Sequence, residues 1–345
     1  MKILNPVCGR SLVLLWVSGS FLHGEVREWT NSEGRVIEAE YVRSDDTHVT
    51  LRMNDREFTF ALDKLSEEDR EFVASRKEES ASGGVDAKTG WLDHVEINHP
   101  AFPDVKGYLE SANAKAVYKA FESGNFPQTW KANRGTIEEM FSYEDGAMIV
   151  YVPEDYGPAK PPGVYLHISP GDGGEGIRDY IPVMDGLSLI YVSPKGTSNN
   201  QPMLRRVKLA VDALATVKEQ WQIDEQRVVV GGLSGGGHIA MLTHAMFPEW
   251  FRGSVSHAAQ SYLPSGQSVG HFPGLTERDL TGREFKDHKW VVVSGNKDFN
   301  YQEILKSGEV WKDSRAEYRF IDVPDMGHTN APPQALEEAL KWIGL

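Results

Sequence analysis

One serine, one aspartate and one histidine stand out in this chain for where they fall. The stretch "VVVGGLSGGGHIA", residues 228–240, breaks an apolar run with glycines placed around Ser234. Gly231 and Gly236 have the spacing of a phosphate-binding loop, but Gly237 and His238 stand where that loop needs Lys and then Ser or Thr. No G-x-G-x-x-G frame fits either. What fits is G-x-S-x-G, as Gly232-Leu233-Ser234-Gly235-Gly236, whose small residues let the chain turn sharply and leave the serine side chain projecting. A serine hydroxyl is a weak nucleophile and requires a histidine base held by a carboxylate. Asp298 follows the apolar run of "KWVVVSGNKDFN", and His328 follows that of "YRFIDVPDMGHTN". The chemistry such a set performs is acyl transfer.

The reaction also needs hydrogen-bond donors for a developing oxyanion. Gly235, directly after the serine, offers one backbone N–H. The second is expected from "HISPGDGGEG", where Ser169 lies nearest the required position; Gly171 is the alternative, and Pro170 has no N–H to give. Each candidate has a plainer reading. Asp298 could cap the helix that begins near Tyr301, Asp325 is the rival acid three residues before His328, and His328 could be an ordinary loop residue. His238 and His257 lie closer in sequence to Ser234 and are expected in packing or rim roles.

Elements able to hold these residues are visible in the patterning. From about Gly107 onward the chain alternates strand and helix. "AMIVYVPEDY", "GVYLHIS", "LSLIYVSP", "RVVVGGLS", "GSVSHAA" and "KWVVVSG" read as strands covered on both faces. Leu204, Val207, Val211, Leu214, Val217 and Trp221 recur at helical spacing, and "PPQALEEALKWIGL" predicts a closing amphipathic helix. The fold class expected is α/β, a doubly wound, mostly parallel sheet, in which ligands bind at the carboxyl ends of the strands. Ser234, Asp298 and His328 all lie at such ends. Residues 129–146, "TWKANRGTIEEMFSYEDG", are a candidate lid or edge.

The first part of the chain differs. Lys2 and Arg10 precede an apolar core of about a dozen residues, Ser11 to Leu22, too short to span a bilayer of about 30 Å. Residues 1–24 therefore read as an export signal, which leaves no stable membrane span after its removal. Cys8 is the single cysteine and falls inside that segment, so the mature chain has no disulfide, thiolate metal site or cysteine nucleophile. Residues 25–74 alternate with period two, as in Ile37, Ala39 and Tyr41, and predict short antiparallel strands before "LSEED", where Ser66 and Asp69 suit a helix cap. Residues 75–95 have the polar composition of a linker, and 96–345 form the large domain. The formal net charge of −14 argues against nucleic-acid binding.

Two resemblances follow from these motifs. "REWT", the turn at Gly34 and "LDKLSEED" resemble the Sla-type homology domain, a small SH3-like β-barrel that implies a peptide or protein partner for residues 25–74. "GGLSGGGHIAMLTHAMFPEWFRGSVSHAA", "YVSPKG", "VVVSGNKD" and "MGH" resemble the α/β-hydrolase superfamily, in which the triad runs in the order Ser, Asp, His. The branch it is most similar to contains exported polyhydroxyalkanoate depolymerases and feruloyl esterases, although His167-Ile168 replaces their His-Gly. The expectation is an exported serine esterase acting on a small-molecule or polymer ester, without metal or organic cofactor. A serine peptidase of the same fold is the alternative within enzymes. A non-catalytic binding protein whose N-terminal module recruits a peptide is the alternative outside them.

Overall fold

A computed structural model describes residues 26–345, apart from residues 33, 45–46, 54–55, 83–87, 103, 125–145, 158 and 264–270. The expected export signal lies outside the described residues, as does the candidate lid except for Gly146. The chain divides into two compact units, Met1–Gly83 and Gly84–Leu345.

In the first unit, β1 (Val26–Thr30), β2 (Val36–Ser44), β3 (His48–Met53) and β4 (Arg56–Ala61) form an antiparallel sheet paired in chain order. A bridge between Asn31 and Leu65 returns the segment after β4 to the end of β1. One face is apolar because the alternation puts Trp29, Ala39, Val49 and Leu51 on it, where Leu65 and Val73 join them. Helix α1 (Glu67–Ser82) starts as the sequence predicts: Ser66 Oγ accepts the Asp69 N–H and donates to the Asp69 carboxylate. It continues through the first residues of the expected linker, because Ala, Arg, Lys and Glu there are good helix formers.

The second unit is built on an eight-stranded sheet. Its strands are β5 (Gly90–Glu96), β6 (Ala147–Val152), β7 (Gly163–Ile168), β8 (Leu189–Pro194), β9 (Val228–Leu233), β10 (Gly253–His257), β11 (Lys289–Ser294) and β12 (Glu317–Asp322). Their spatial order is β5-β6-β8-β7-β9-β10-β11-β12, antiparallel at β5–β6 and β6–β8 and parallel elsewhere. Strand β5 falls inside the expected linker except for its last residue, Glu96. Its pattern is obscured by a register shift between Leu92 and Val95 that leaves Asp93 and His94 in solvent.

Helices cover both faces. Val164, Leu166 and Ile168 pack with α2 (Ala112–Glu122), α4 (Met203–Gln220) and α5 (Gly235–Met246). Tyr165, Val229 and Val255 pack on the other face with α3 (Ile181–Leu187) and α7 (Pro333–Ile343). Helix α6 (Tyr301–Asp313) follows β11. This is the α/β-hydrolase fold. Its parallel strands end at one edge of the sheet, and Ser169, Ser234, Asp298 and His328 all lie in the loops there.

Candidate active site

Ser234 sits between β9 and α5 with φ 54° and ψ −122°, a left-handed conformation that a non-glycine residue adopts only when its surroundings enforce it. Close packing enforces it here. A Cβ on Gly236 would fall 2.0 Å from the Ile168 carbonyl oxygen, and one on Gly232 2.5 Å from the same atom. The turn therefore needs hydrogen at both positions to press against the end of β7. The Ser234 N–H donates to the His257 carbonyl at 2.9 Å, and its own carbonyl accepts the first helical bond, from His238 N–H at 3.2 Å. The N–H of Gly235 is among those at a helix start with no partner inside the helix.

Asp298 and His328 are brought together. Nδ1 of His328 lies 2.9 Å from Asp298 Oδ1. An ionised carboxylate only accepts, so against one Nδ1 is the donor and Nε2 keeps the lone pair. The Asp298 side chain is fully buried, and Ser294 Oγ donates to Oδ2 at 2.7 Å while the Asn300 N–H donates to Oδ1 at 3.0 Å. Three donors satisfy a carboxylate that water does not reach. The cap-like bond to Asn300 thus coexists with the bond to His328. Two backbone links close the loops on each other: Lys297 N–H donates to the Met326 carbonyl at 3.1 Å and Val323 N–H to the Ser294 carbonyl at 2.8 Å. Among the described residues no hydrogen bond joins Ser234 Oγ to His328. Such contacts commonly tighten only when substrate is bound.

The rival groups are engaged elsewhere. Asp325 is 71% exposed at its side chain and pairs with Lys297 Nζ at 2.9 Å. His257 is fully buried, and that burial, with His167 nearby, pushes its imidazole down to about 3. His238 stacks face to face on His271 at 4.5 Å and lies 3.1 Å from Ser261 Oγ; burial and the neighbouring His271 and Arg206 hold it well below the usual range. The lowered basicity of both imidazoles is the opposite of what a general base needs. On the donor side, Ser169 is buried at the end of β7 and its Oγ accepts the Gly171 N–H at 3.0 Å, so that N–H is spent inside the loop.

Several residues at this edge were not legible as site residues. Asn199 lies against Gly235, where an added Cβ would fall 2.0 Å from its Oδ1; its one signal was a polar run after a buried strand. Glu175 ties three strand ends together. Its carboxylate lies 3.1 Å from His167 Nε2 and accepts from Asn330 Nδ2, two residues beyond His328. Asn330 Oδ1 in turn lies 3.3 Å from His257 Nδ1, and the Tyr165 hydroxyl sits 3.3 Å from both His257 Nε2 and His167 Nδ1. Burial alone raises the Glu175 carboxyl, but its bonds to His167, Asn330 and Ser169 outweigh that and hold it below the usual carboxylate range. The ring Glu175-His167-Tyr165-His257-Asn330 thereby connects the end of β7, the strand beside Ser234 and the loop of His328.

The chain superposes on parts of solved structures at low sequence identity. The chain superposes on a fluorophosphonate-binding serine hydrolase of Staphylococcus aureus with 16% identity and a TM-score of 0.45, over 58% of this chain and 92% of that one. A ferulic acid esterase gives 17% identity and a TM-score of 0.45, also over 58% and 92%. Est1E from Butyrivibrio proteoclasticus gives 12% identity and a TM-score of 0.41, over 57% and 92%. No family model and no curated protein matches the chain.

Proposed function

We propose that the C-terminal unit is a serine hydrolase that cleaves carboxylic esters. The observation that carries this reading is the His328–Asp298 pair at 2.9 Å, its carboxylate sealed from water, on the loops beside a serine strained to φ 54°. Nε2 of His328 takes the proton of Ser234 as Oγ bonds to the ester carbonyl carbon. Negative charge developing on the carbonyl oxygen is met by the N–H groups of Gly235 and Ser169, the latter favoured over Gly171 because Ser169 Oγ already holds the Gly171 N–H. The C–O bond to the alcohol then breaks, and its oxygen leaves with the proton from Nε2. Water repeats the sequence on the acyl-enzyme: it gives a proton to Nε2, its oxygen bonds to the acyl carbon, and the proton returns to Ser234 as the acid leaves.

Incubation with a p-nitrophenyl ester and a fluorophosphonate tests this directly. Turnover and covalent labelling mapped to Ser234, both lost in Ser234→Ala with the fold intact, are the expected result. A folded protein that neither turns over the ester nor takes the label would sink the reading. Hydrolysis of esters but not of matched amides separates an esterase from a peptidase.

The finer reading is an exported enzyme acting on esters of extracellular polymers, with a Sla-type module in residues 25–74 that docks a peptide partner. The short apolar segment behind Lys2 and Arg10 supports export, and the mass of the mature N-terminus checks it.

A further inference from the structure

Phe299 follows Asp298 directly and is 77% exposed, the only exposed large aromatic among the described residues of the C-terminal unit. A single exposed apolar residue is ordinary on a protein surface. This one is distinguished by its neighbour: the ring stacks on the imidazole of His328, centroids 4.0 Å apart and planes 29° from parallel. One face of the ring is held by His328, while most of the side chain lies open to water.

The backbone on either side of the ring is pinned. Asp298 N–H donates to the Gly295 carbonyl at 2.9 Å, Asn300 N–H to Asp298 Oδ1 at 3.0 Å and Tyr301 N–H to the Asp298 carbonyl at 3.0 Å. Asn300 Nδ2 reaches the Ala258 carbonyl at 3.2 Å. An aromatic surface is thus preorganised beside the base, the arrangement that lowers the ordering cost of binding.

We infer that Phe299 is a specificity-determining residue that receives the alcohol side of the ester, and that the alcohol it fits has a flat apolar face: an aryl ring or the C–H face of a pyranose. This rests on the catalytic reading of Ser234 and His328. The side of the ester follows from the chemistry. Nε2 of His328 delivers its proton to the leaving oxygen, so the group attached to that oxygen lies next to whatever flanks the imidazole. The acyl group stays on Ser234, toward the oxyanion donors. A planar leaving group therefore slides along Phe299, whereas a short alkyl alcohol leaves the ring uncovered. Phe299 also lies over the imidazolium that forms during the reaction, but that contact acts on every ester alike.

Phenyl acetate, methyl 6-O-acetyl-glucopyranoside and ethyl acetate share one acyl-enzyme, so deacylation is common to all three and kcat/KM compares their alcohols. In Phe299→Ala, kcat/KM for the phenyl or the pyranosyl ester is expected to fall about tenfold, the size of one aromatic stacking contact, while ethyl acetate changes by less than about twofold. Phe299→Trp restores the affected ester. A fall confined to the phenyl ester assigns an aryl alcohol, and one confined to the sugar ester assigns a pyranose. Equal losses on all three esters, or none, would overturn the inference and leave Phe299 as support for His328 alone. Binding of phenyl acetate to Ser234→Ala, compared with Ser234→Ala/Phe299→Ala, reads the platform without turnover: at least fivefold weaker binding in the double variant supports it, and equal binding refutes it. Absence of both turnover and labelling in the wild type counts against the catalytic reading instead, and the binding comparison still decides the platform.

Discussion

A fully buried carboxylate with three donors leaves the His328 imidazole little choice of orientation or tautomer. Replacing Asp298 by Asn keeps the shape but offers an amide where the histidine needs an acceptor, so kcat should fall by roughly 10³ to 10⁴, with circular dichroism and the unfolding midpoint near those of the wild type. Glu175 acts further from the reacting atoms, through Asn330 and His167. Its removal loosens the loop of His328 relative to Ser234, and Glu175→Ala should lower kcat at least roughly tenfold while KM stays within about threefold, as steady-state kinetics would read. Equal activity in the two proteins would mean the ring serves the core only. Asp298 and His328 were legible because each follows an apolar run of strand length. Glu175, Ser294, Asn199 and Asn330 were not, since each is an unremarkable polar residue until the strand ends are brought side by side.

At the level of elements, the strand-to-helix turn is where sequence and packing coincide. Ser234 is held at φ 54° by the approach of α5 to β7, and a methyl group on Gly236 would meet a backbone oxygen at 2.0 Å that cannot swing away. Gly236→Ala should therefore cost about 3 kcal/mol or more in urea unfolding and abolish turnover. A variant as stable as the wild type would show that the turn can open without cost. The six apolar runs read as strands between residues 147 and 295 all form β6 to β11, since buried parallel strands carry near-continuous apolar sequence. Strand β5 escaped that reading because its bulge breaks the pattern, and α1 ran past its expected end because polar helix formers resemble linker composition.

For the molecule as a whole, buried histidines weaken the fold in acid, against the opposite effect of the Asp212 carboxyl, which burial raises. His244 and His257 are fully buried, and desolvation lowers both, His257 to about 3. Below the ordinary imidazole value of about 6.5 the unfolded chain takes up protons that the native state refuses. Their contribution to stability is complete above that value and is lost as the pH falls from about 6.5 toward 3. Between pH 7.5 and pH 4.5 the urea midpoint of the wild type should fall relative to that of His244→Gln; a difference independent of pH over this range would contradict the burial of a neutral imidazole at His244.

The alternation of apolar runs, the order Ser234, Asp298, His328 and the glycines around the serine carried the fold class and the proposed triad without coordinates, because strand burial and turn sterics are local and leave their mark on neighbouring residues. Asp298 was already preferred to Asp325, and His328 to His238 and His257, from sequence, but the contacts of these side chains needed the folded chain. Which carboxylate is sealed from water and which ring faces a partner 30 residues away, as His328 faces Asp298, is not written in local sequence. The same holds for Phe299: its type was readable, but its place over the imidazole arises only when the loops after β11 and β12 close on each other.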